Sequence, residues 1–289
     1  MSGNSVQDHY AGDDTGSAMA SRILAAVRAV YGPEAAITPE TLAPLDHFNS
    51  RGLAATQELV ALLAPQAGES LLDIGSGIGG PARWIATRYG CTVTGVDVTA
   101  AFCEAARALN VACGVADRVR IVDGTALALP FPDASFDRAY AHGVLTSIAD
   151  KLGVYREACR VLKPGGRLVL FQHQAGPNGP PEFPVPWAAT PAESFLATEA
   201  DTHRDLTAAG FAIVSFRDAT PENFAAQTAL RRQIEVEGPP PLGMHVLIGD
   251  RLRQQRLNAY NALRDGRARM VEIVARKPDG AAAQPTTVL

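Results

Sequence analysis

Leu71-Leu72-Asp73-Ile74-Gly75-Ser76-Gly77-Ile78-Gly79-Gly80 limits what this chain can fold into more than any other stretch. A short apolar run of strand character enters a glycine turn, and residues of helical character follow from Pro81. Glycine lets the backbone turn tightly and lets a ligand approach the main chain. The helix that follows presents unpaired N–H groups at its start. Together these features point to a nucleotide-like ligand. The run also satisfies G-x-G-x-x-G at Gly75, Gly77 and Gly80, so a dinucleotide-binding dehydrogenase is the first reading to weigh.

Two carboxylates bear on that choice. Asp73 lies inside the strand, two residues before the first glycine, where its charge repels a pyrophosphate and attracts an ammonium group. That argues against a dinucleotide. Asp97 ends the next strand, at Thr94-Gly95-Val96-Asp97, at the spacing from which a carboxylate accepts both ribose hydroxyls. Both readings share this second feature.

Around the turn, short apolar runs alternate with segments of helical period. Strand-like runs fall at 71–74, 91–96, 118–122, 136–141, 166–172, 211–216 and 269–275. A helix is expected over 149–162, where Ile148, Leu152, Tyr155, Cys159 and Leu162 recur three or four apart, stopped by Lys163-Pro164-Gly165-Gly166. Strands separated by helices imply parallel pairing, so the expected fold class is α/β with a Rossmann-like, doubly wound, seven-stranded sheet. Residues 174–191 hold six prolines after a strand, which suits a lid or a binding wall. The expected organisation is an N-terminal arm with helical lid (1–55), a core (56–221 and 267–276), a helical cap inserted between the last two strands (222–266) and a disordered tail (277–289).

Composition excludes several function classes. The 289 residues carry a formal net charge of -4, whereas a nucleic-acid binder normally presents a basic field. The basic excess over 231–277 is spread around a helix and reads as a solvated face. No apolar run approaches the ~18 residues that span a bilayer, and the start of the chain lacks a leader pattern. Four scattered cysteines, Cys91, Cys103, Cys113 and Cys159, read as buried thiols of a reducing cytoplasm. No His/Cys/Asp grouping has metal-ligand spacing, so no metal is expected.

Further motifs stand in order along the chain: Leu129-Pro130-Phe131-Pro132-Asp133, Arg160-Val161-Leu162-Lys163-Pro164-Gly165-Gly166, and the segments at 46–52, 79–83, 148–151 and 184–188. With the glycine turn they make the chain resemble the class I S-adenosylmethionine-dependent methyltransferases. It is most similar there to the small-molecule branch that includes sarcosine and dimethylglycine N-methyltransferases and natural-product O-methyltransferases. The resemblance implies a cofactor, S-adenosylmethionine, whose product is S-adenosylhomocysteine. It further implies that Asp73, Gly75, Ser76, Gly77 and Gly79 hold the methionine end, that Asp97 holds the ribose, and that Val98 packs on the adenine. Relatives place an aspartate at the position of Thr125; here Thr125 or the backbone from Gly124 meets the adenine amino group. Ala141 and Tyr10 complete the implied cofactor set, although a tyrosine in an N-terminal arm also reads as a surface residue.

His142 ends the fourth strand, where an open α/β sheet places its reacting partners. An imidazole there suits a general base, or it shapes the pocket. His173, ending the fifth strand, is the second candidate catalytic group. Phe183 and Trp187 either wall a substrate or anchor the proline-rich loop. The expected activity is O-, N- or C-methylation of a small molecule in secondary metabolism, with no nucleic-acid or membrane partner and with a homodimer as a compatible assembly. The competing expectation is a cyclase that binds the cofactor without transferring its methyl group.

Overall fold

The computed structural model describes residues 15–47, 49 and 51–279. Three helices, α1 (Gly16–Tyr31), α2 (Pro39–Asp46) and α3 (Leu53–Leu63), precede β1 (Ser70–Ile74). Then follow α4 (Gly80–Tyr89), β2 (Thr92–Asp97), α5 (Ala100–Ala112), β3 (Val119–Asp123), β4 (Phe136–His142), α6 (Lys151–Val161) and β5 (Leu162–Ala175). The chain continues through α7 (Glu199–Ala208), β6 (Ala212–Asp218), α8 (Thr220–Glu237), α9 (His245–Ile248), α10 (Arg251–Arg264) and β7 (Ala268–Arg276).

Seven strands form one sheet in the order β3-β2-β1-β4-β5-β7-β6. The expected parallel pairing holds from β3 to β5, but β7 runs antiparallel to both β5 and β6. The reason is topological. The helices between β6 and β7 leave after Asp218 and rejoin at Ala268, which pairs with Ala175 at the carboxyl end of β5, so β7 must run back between its neighbours. The Lys163-Pro164-Gly165-Gly166 segment ends α6 one residue earlier than expected and forms an irregularity in β5, between the pairs Phe136–Leu162 and Arg138–Arg167.

Alternation along the strands separates two apolar layers. Leu72, Ile74, Ala141, Leu168 and Leu170 pack with Val154, Tyr155 and Ala158 of α6 on one face. On the other face, Leu71, Val93, Tyr140, Val169 and Phe171 pack with Leu59 and Leu63 of α3, Ile85 of α4 and Cys103 and Ala106 of α5. Cys91 and Cys103 are buried as expected, whereas Cys113 and Cys159 are only half-buried, because each lies on the rim of its helix.

The segments outside the sheet meet one another. Met19, Ile23 and Val27 of α1 pack on Phe102, Ala105 and Leu109 of α5, and Leu242, Val246 and Leu247 of the β6–β7 insertion join that cluster. Arg22 Nε donates to the Val246 carbonyl at 3.0 Å. The proline-rich loop is tied down from two sides: Trp187 Nε1 donates to Ser194 Oγ at 2.9 Å, and Asn258 of α10 donates to the Pro184 carbonyl at 2.9 Å. Val185, Trp187 and Ala188 are buried against Ala259, so the indole is an anchor of the loop.

Beneath α2 lies a buried ion pair. Arg83 Nη2 donates to Asp46 Oδ2 at 2.9 Å, and both side chains are almost fully enclosed. Arg83 Nη1 donates to Asn110 Oδ1 at 2.9 Å, and Asn110 Nδ2 donates to the Val119 carbonyl at 3.0 Å. One network therefore joins α2, α4, α5 and β3. Removing one member of a buried pair strands the other, which costs about 3–5 kcal/mol. Asp46→Ala is accordingly expected to lower urea-unfolding stability by that order, and a loss under about 1 kcal/mol would show that the pair carries no net stability.

Candidate functional site

Gly75, Gly77 and Gly79 adopt φ of +76°, +52° and +81°, left-handed values that favour glycine. Close approach adds a second constraint: a Cβ on Gly75 would lie 2.4 Å from Val144, and one on Gly80 would lie 2.1 Å from the Asp46 carbonyl. The turn is pinned by backbone bonds from Gly75 N and Ser76 N to the Val96 carbonyl, at 2.8 and 3.1 Å. Gly79 then caps α4, with Pro81 in its first turn. The turn thus lies across the carboxyl ends of β1 and β2, where the sequence places it.

Asp73 and Asp97 both stand at this edge, in different states of satisfaction. Asp97 accepts from Gly77 N at 2.8 Å and from Thr99 N at 2.9 Å. Burial raises its carboxyl, and these N–H donors work against that. Asp73 is 2% exposed and has Tyr140 OH as its hydrogen-bond donor, at 2.9 Å. Among the described residues no basic side chain faces it in an ion pair, and burial above all, with Asp97 adding to it, pushes the Asp73 carboxyl up to about 7. Such a carboxylate is set to ionise when a cation arrives.

His142 closes the same cleft, which Asp46, Asn49, Asp73, Gly75, Ser76, Gly77, Ile78 and Pro81 also line. The ring meets Phe171 edge-on, with centroids 5.5 Å apart, and its Nε2 is enclosed with no hydrogen-bond partner. Burial first, then His47, Arg51 and His173, push the imidazole down to about 3, so it is neutral at physiological pH. His173 stacks on Trp187 at 4.4 Å, and burial pushes it down to about 4. It therefore lies under the anchored loop, beside His142 and not at an open edge.

The adenine end is less fully built by side chains. Val98 is 38% exposed at the mouth of the turn. Thr125 is exposed, and its hydroxyl accepts from Leu127 N at 3.2 Å, while Gly124 N donates to the Asp97 carbonyl at 3.0 Å. Ala141 points its side chain into the core, so only its main chain can meet a ligand. Tyr10 lies outside the described residues. Among the described residues no three His, Cys, Asp or Glu side chains gather as a metal site, and no helix is long and apolar enough to cross a membrane.

Sequence reasoning marked the 46–52 segment as a motif but gave its His47 and Arg51 no role at this edge. His47 Nδ1 sits 2.8 Å from Thr56 Oγ1, and Arg51 Nη1 donates to Glu58 at 2.9 Å. Arg51 Nη2 also lies 3.7 Å from Glu272 Oε1 on β7. Of the available signals, only a charged residue within an otherwise apolar strand, Glu272 in Met270-Val271-Glu272-Ile273-Val274, could have drawn notice.

Residues 72–170, from β1 into β5, match a family model described as a methyltransferase domain. The methyltransferase GfsG of Streptomyces halstedii is 39% identical over 132 residues, covering 46% of each chain. The chain thus spans about half the length of such curated relatives. In solved structures, the geranyl diphosphate C-methyltransferase of Streptomyces coelicolor, in complex with Mg2+, geranyl diphosphate and S-adenosyl-L-homocysteine, aligns with a TM-score of 0.64 at 22% identity, covering 78% of this chain and 77% of that one. The [4+2]-cyclase SpnF aligns with a TM-score of 0.60 at 23% identity, covering 91% and 94%. These likenesses establish the fold, a Rossmann-like α/β sheet of the kind that both solved proteins share.

The Asp73 carboxyl can be tested through stability. Its folded value lies above the ordinary carboxylate value, so the folded state binds the extra proton, and stability falls as pH rises from about 4 to about 7. Asp73→Asn removes that loss. The variant is expected to gain on the order of 2 kcal/mol over the wild type between pH 5 and pH 8 in denaturant unfolding, and a pH-independent difference would contradict the burial argument.

Proposed function

We propose that this protein is an S-adenosylmethionine-dependent methyltransferase acting on a small-molecule acceptor in secondary metabolism. The observation that carries the reading is the enclosed Asp73 carboxyl, which lacks a cationic partner among the described residues in the cleft that also holds the glycine turn and His142. The residues present fit that cofactor: a buried carboxylate for an ammonium, a second carboxylate at the next strand end for vicinal ribose hydroxyls, and, among the described residues lining the cleft, no lysine or arginine for a pyrophosphate.

When bound, S-adenosylmethionine supplies an electrophilic methyl group on a sulfonium centre. Asp73 orients the amino end, and Tyr140 holds the Asp73 carboxyl in place through its hydroxyl. Asp97, fixed by the Gly77 and Thr99 N–H groups, orients the ribose. His142 Nε2, neutral and without a partner, accepts the proton of an acceptor hydroxyl. Phe171, in T-shaped contact with the His142 ring, limits the orientations open to it. Holding nucleophile and methyl group in line supplies most of the acceleration in such a displacement, so the cover that Asp46 and Asn49 give the cleft matters beside the base.

A cyclase reading has one observation in its favour, the likeness of the fold to a cyclase over nearly the whole chain. Formation of S-adenosylhomocysteine during turnover separates the two readings.

Transfer of label from methyl-tritiated S-adenosylmethionine to an organic product is the expected result, and no transfer across amines, sugars, phenols and indoles would contradict it. His142→Ala is expected to lower kcat roughly 10²–10⁴-fold while leaving the Kd for S-adenosylhomocysteine unchanged. Because His142 is pushed down to about 3, it loses its proton far below neutrality. With cofactor and acceptor saturating, kcat should therefore stay flat on its account between pH 5 and 8, and a limb near pH 6.5 that vanishes in His142→Ala would overturn the assignment.

A further inference from the structure

We infer that Arg51 and Glu272 form the acceptor-binding end of the site, and that they select a neutral acceptor bearing hydroxyl groups. The inference rests on the methyltransferase reading above and deepens it.

The placement comes from sheet register. His142 on β4 pairs with Phe171 on β5, and Phe171 pairs with Glu272 on β7, so the three stand in one row across the carboxyl half of the sheet. Two strand spacings put Glu272 about 10 Å from His142 along that row. Arg51 reaches over the row from the N-terminal segment. Its Nη2 is 3.7 Å from Glu272 Oε1, and its charge is among those that depress His142.

The chemistry comes from what these groups leave unused. Glu272 is 3% exposed and gives one oxygen to Arg217, at 2.7 Å from Nη2, while Oε1 is closed off with no hydrogen-bond partner. Arg51 Nε and His142 Nε2 are likewise enclosed with no hydrogen-bond partner, and His47 Nε2 has only the Asp46 carboxylate, 3.6 Å away. Buried polar atoms are costly when unpaired, and so many at one edge point to a ligand or its waters. Glu272 Oε1 can only accept and Arg51 Nε can only donate, whereas a neutral imidazole nitrogen does either according to its tautomer. A hydroxyl both donates and accepts, so a molecule with two or more hydroxyls satisfies the whole set.

Charge excludes the alternatives. Arg51 is already shared between Glu58 and Glu272, and Glu272 between Arg51 and Arg217, so the end of the site is balanced. With both charges already paired, neither a phosphorylated nor an ammonium acceptor finds an unpaired counterion there.

Calorimetry and label transfer test this together. Wild type, Glu272→Gln and Glu222→Gln are titrated with S-adenosylhomocysteine, then assayed with neutral glycosides such as methyl β-glucopyranoside, with glycerol 3-phosphate and with sarcosine. Turnover of neutral hydroxylated compounds alone is expected. Glu272→Gln should raise KM for them 10-fold or more, with kcat within 3-fold and the Kd for S-adenosylhomocysteine unchanged. Glu222→Gln removes the outer ion pair of Arg217 but leaves Glu272 with both of its arginines, so its KM should stay within 2-fold, which separates acceptor binding from a general loosening of the network. Preference for the charged compounds, no turnover of any neutral one by protein that binds S-adenosylhomocysteine, or an unchanged KM in Glu272→Gln would overturn the inference. Failure to bind S-adenosylhomocysteine would overturn the methyltransferase reading itself.

Discussion

The buried Arg83–Asp46 pair is the contact on which the architecture of the site depends. Arg83 belongs to α4, the helix that the glycine turn launches, and Asp46 ends α2, which belongs to the segment covering the cleft. Their bond at 2.9 Å therefore fixes cover to floor. Gly80 packs directly against the Asp46 carbonyl, so side-chain charge and backbone contact work at one place. Desolvating two charges is expensive unless the remaining donors are used, and Asn110 takes one of them.

From that junction the site is assembled by the carboxyl ends of three strands and the middle of a fourth. β1 brings Asp73 and the turn, β2 brings Asp97, β4 brings His142, and β7, running against the others, brings Glu272. Burial gives each group its character. It leaves Asp73 short of a countercharge, keeps His142 neutral, and isolates one oxygen of Glu272. A site of this kind is polar without being strongly charged, which suits enclosure of an uncharged reacting group beside a cationic cofactor.

Much of this was legible in the residues. The glycine turn needs positive φ at three positions, and the sequence places glycine at each, so strand, turn and helix could be located before the fold was seen. Asp97 and His142 could be placed because strand ends are marked by the close of an apolar run. Long-range pairings left no such mark. Nothing local to Asp46 or Arg83 announces a partner 37 residues away, nor one for Arg51 on β7. The antiparallel course of β7 was hidden as well, because the period of a strand carries no direction. Trp187 was legible as important, but the choice between wall and anchor turned on Ser194 and Ala259, contacts that only the fold reveals.

Proton exchange on cofactor binding gives the most direct measure of the central claim, that the isolated Asp73 carboxyl awaits a cation. Titration of S-adenosylhomocysteine at pH 6, in buffers of different ionisation enthalpy, reads that exchange. With the carboxyl near 7 in the free protein and its ionised form stabilised by the bound ammonium, binding should release close to one proton, and Asp73→Asn should abolish the release. Binding with no buffer dependence in the wild type would contradict the role of Asp73, and absence of binding would contradict the function.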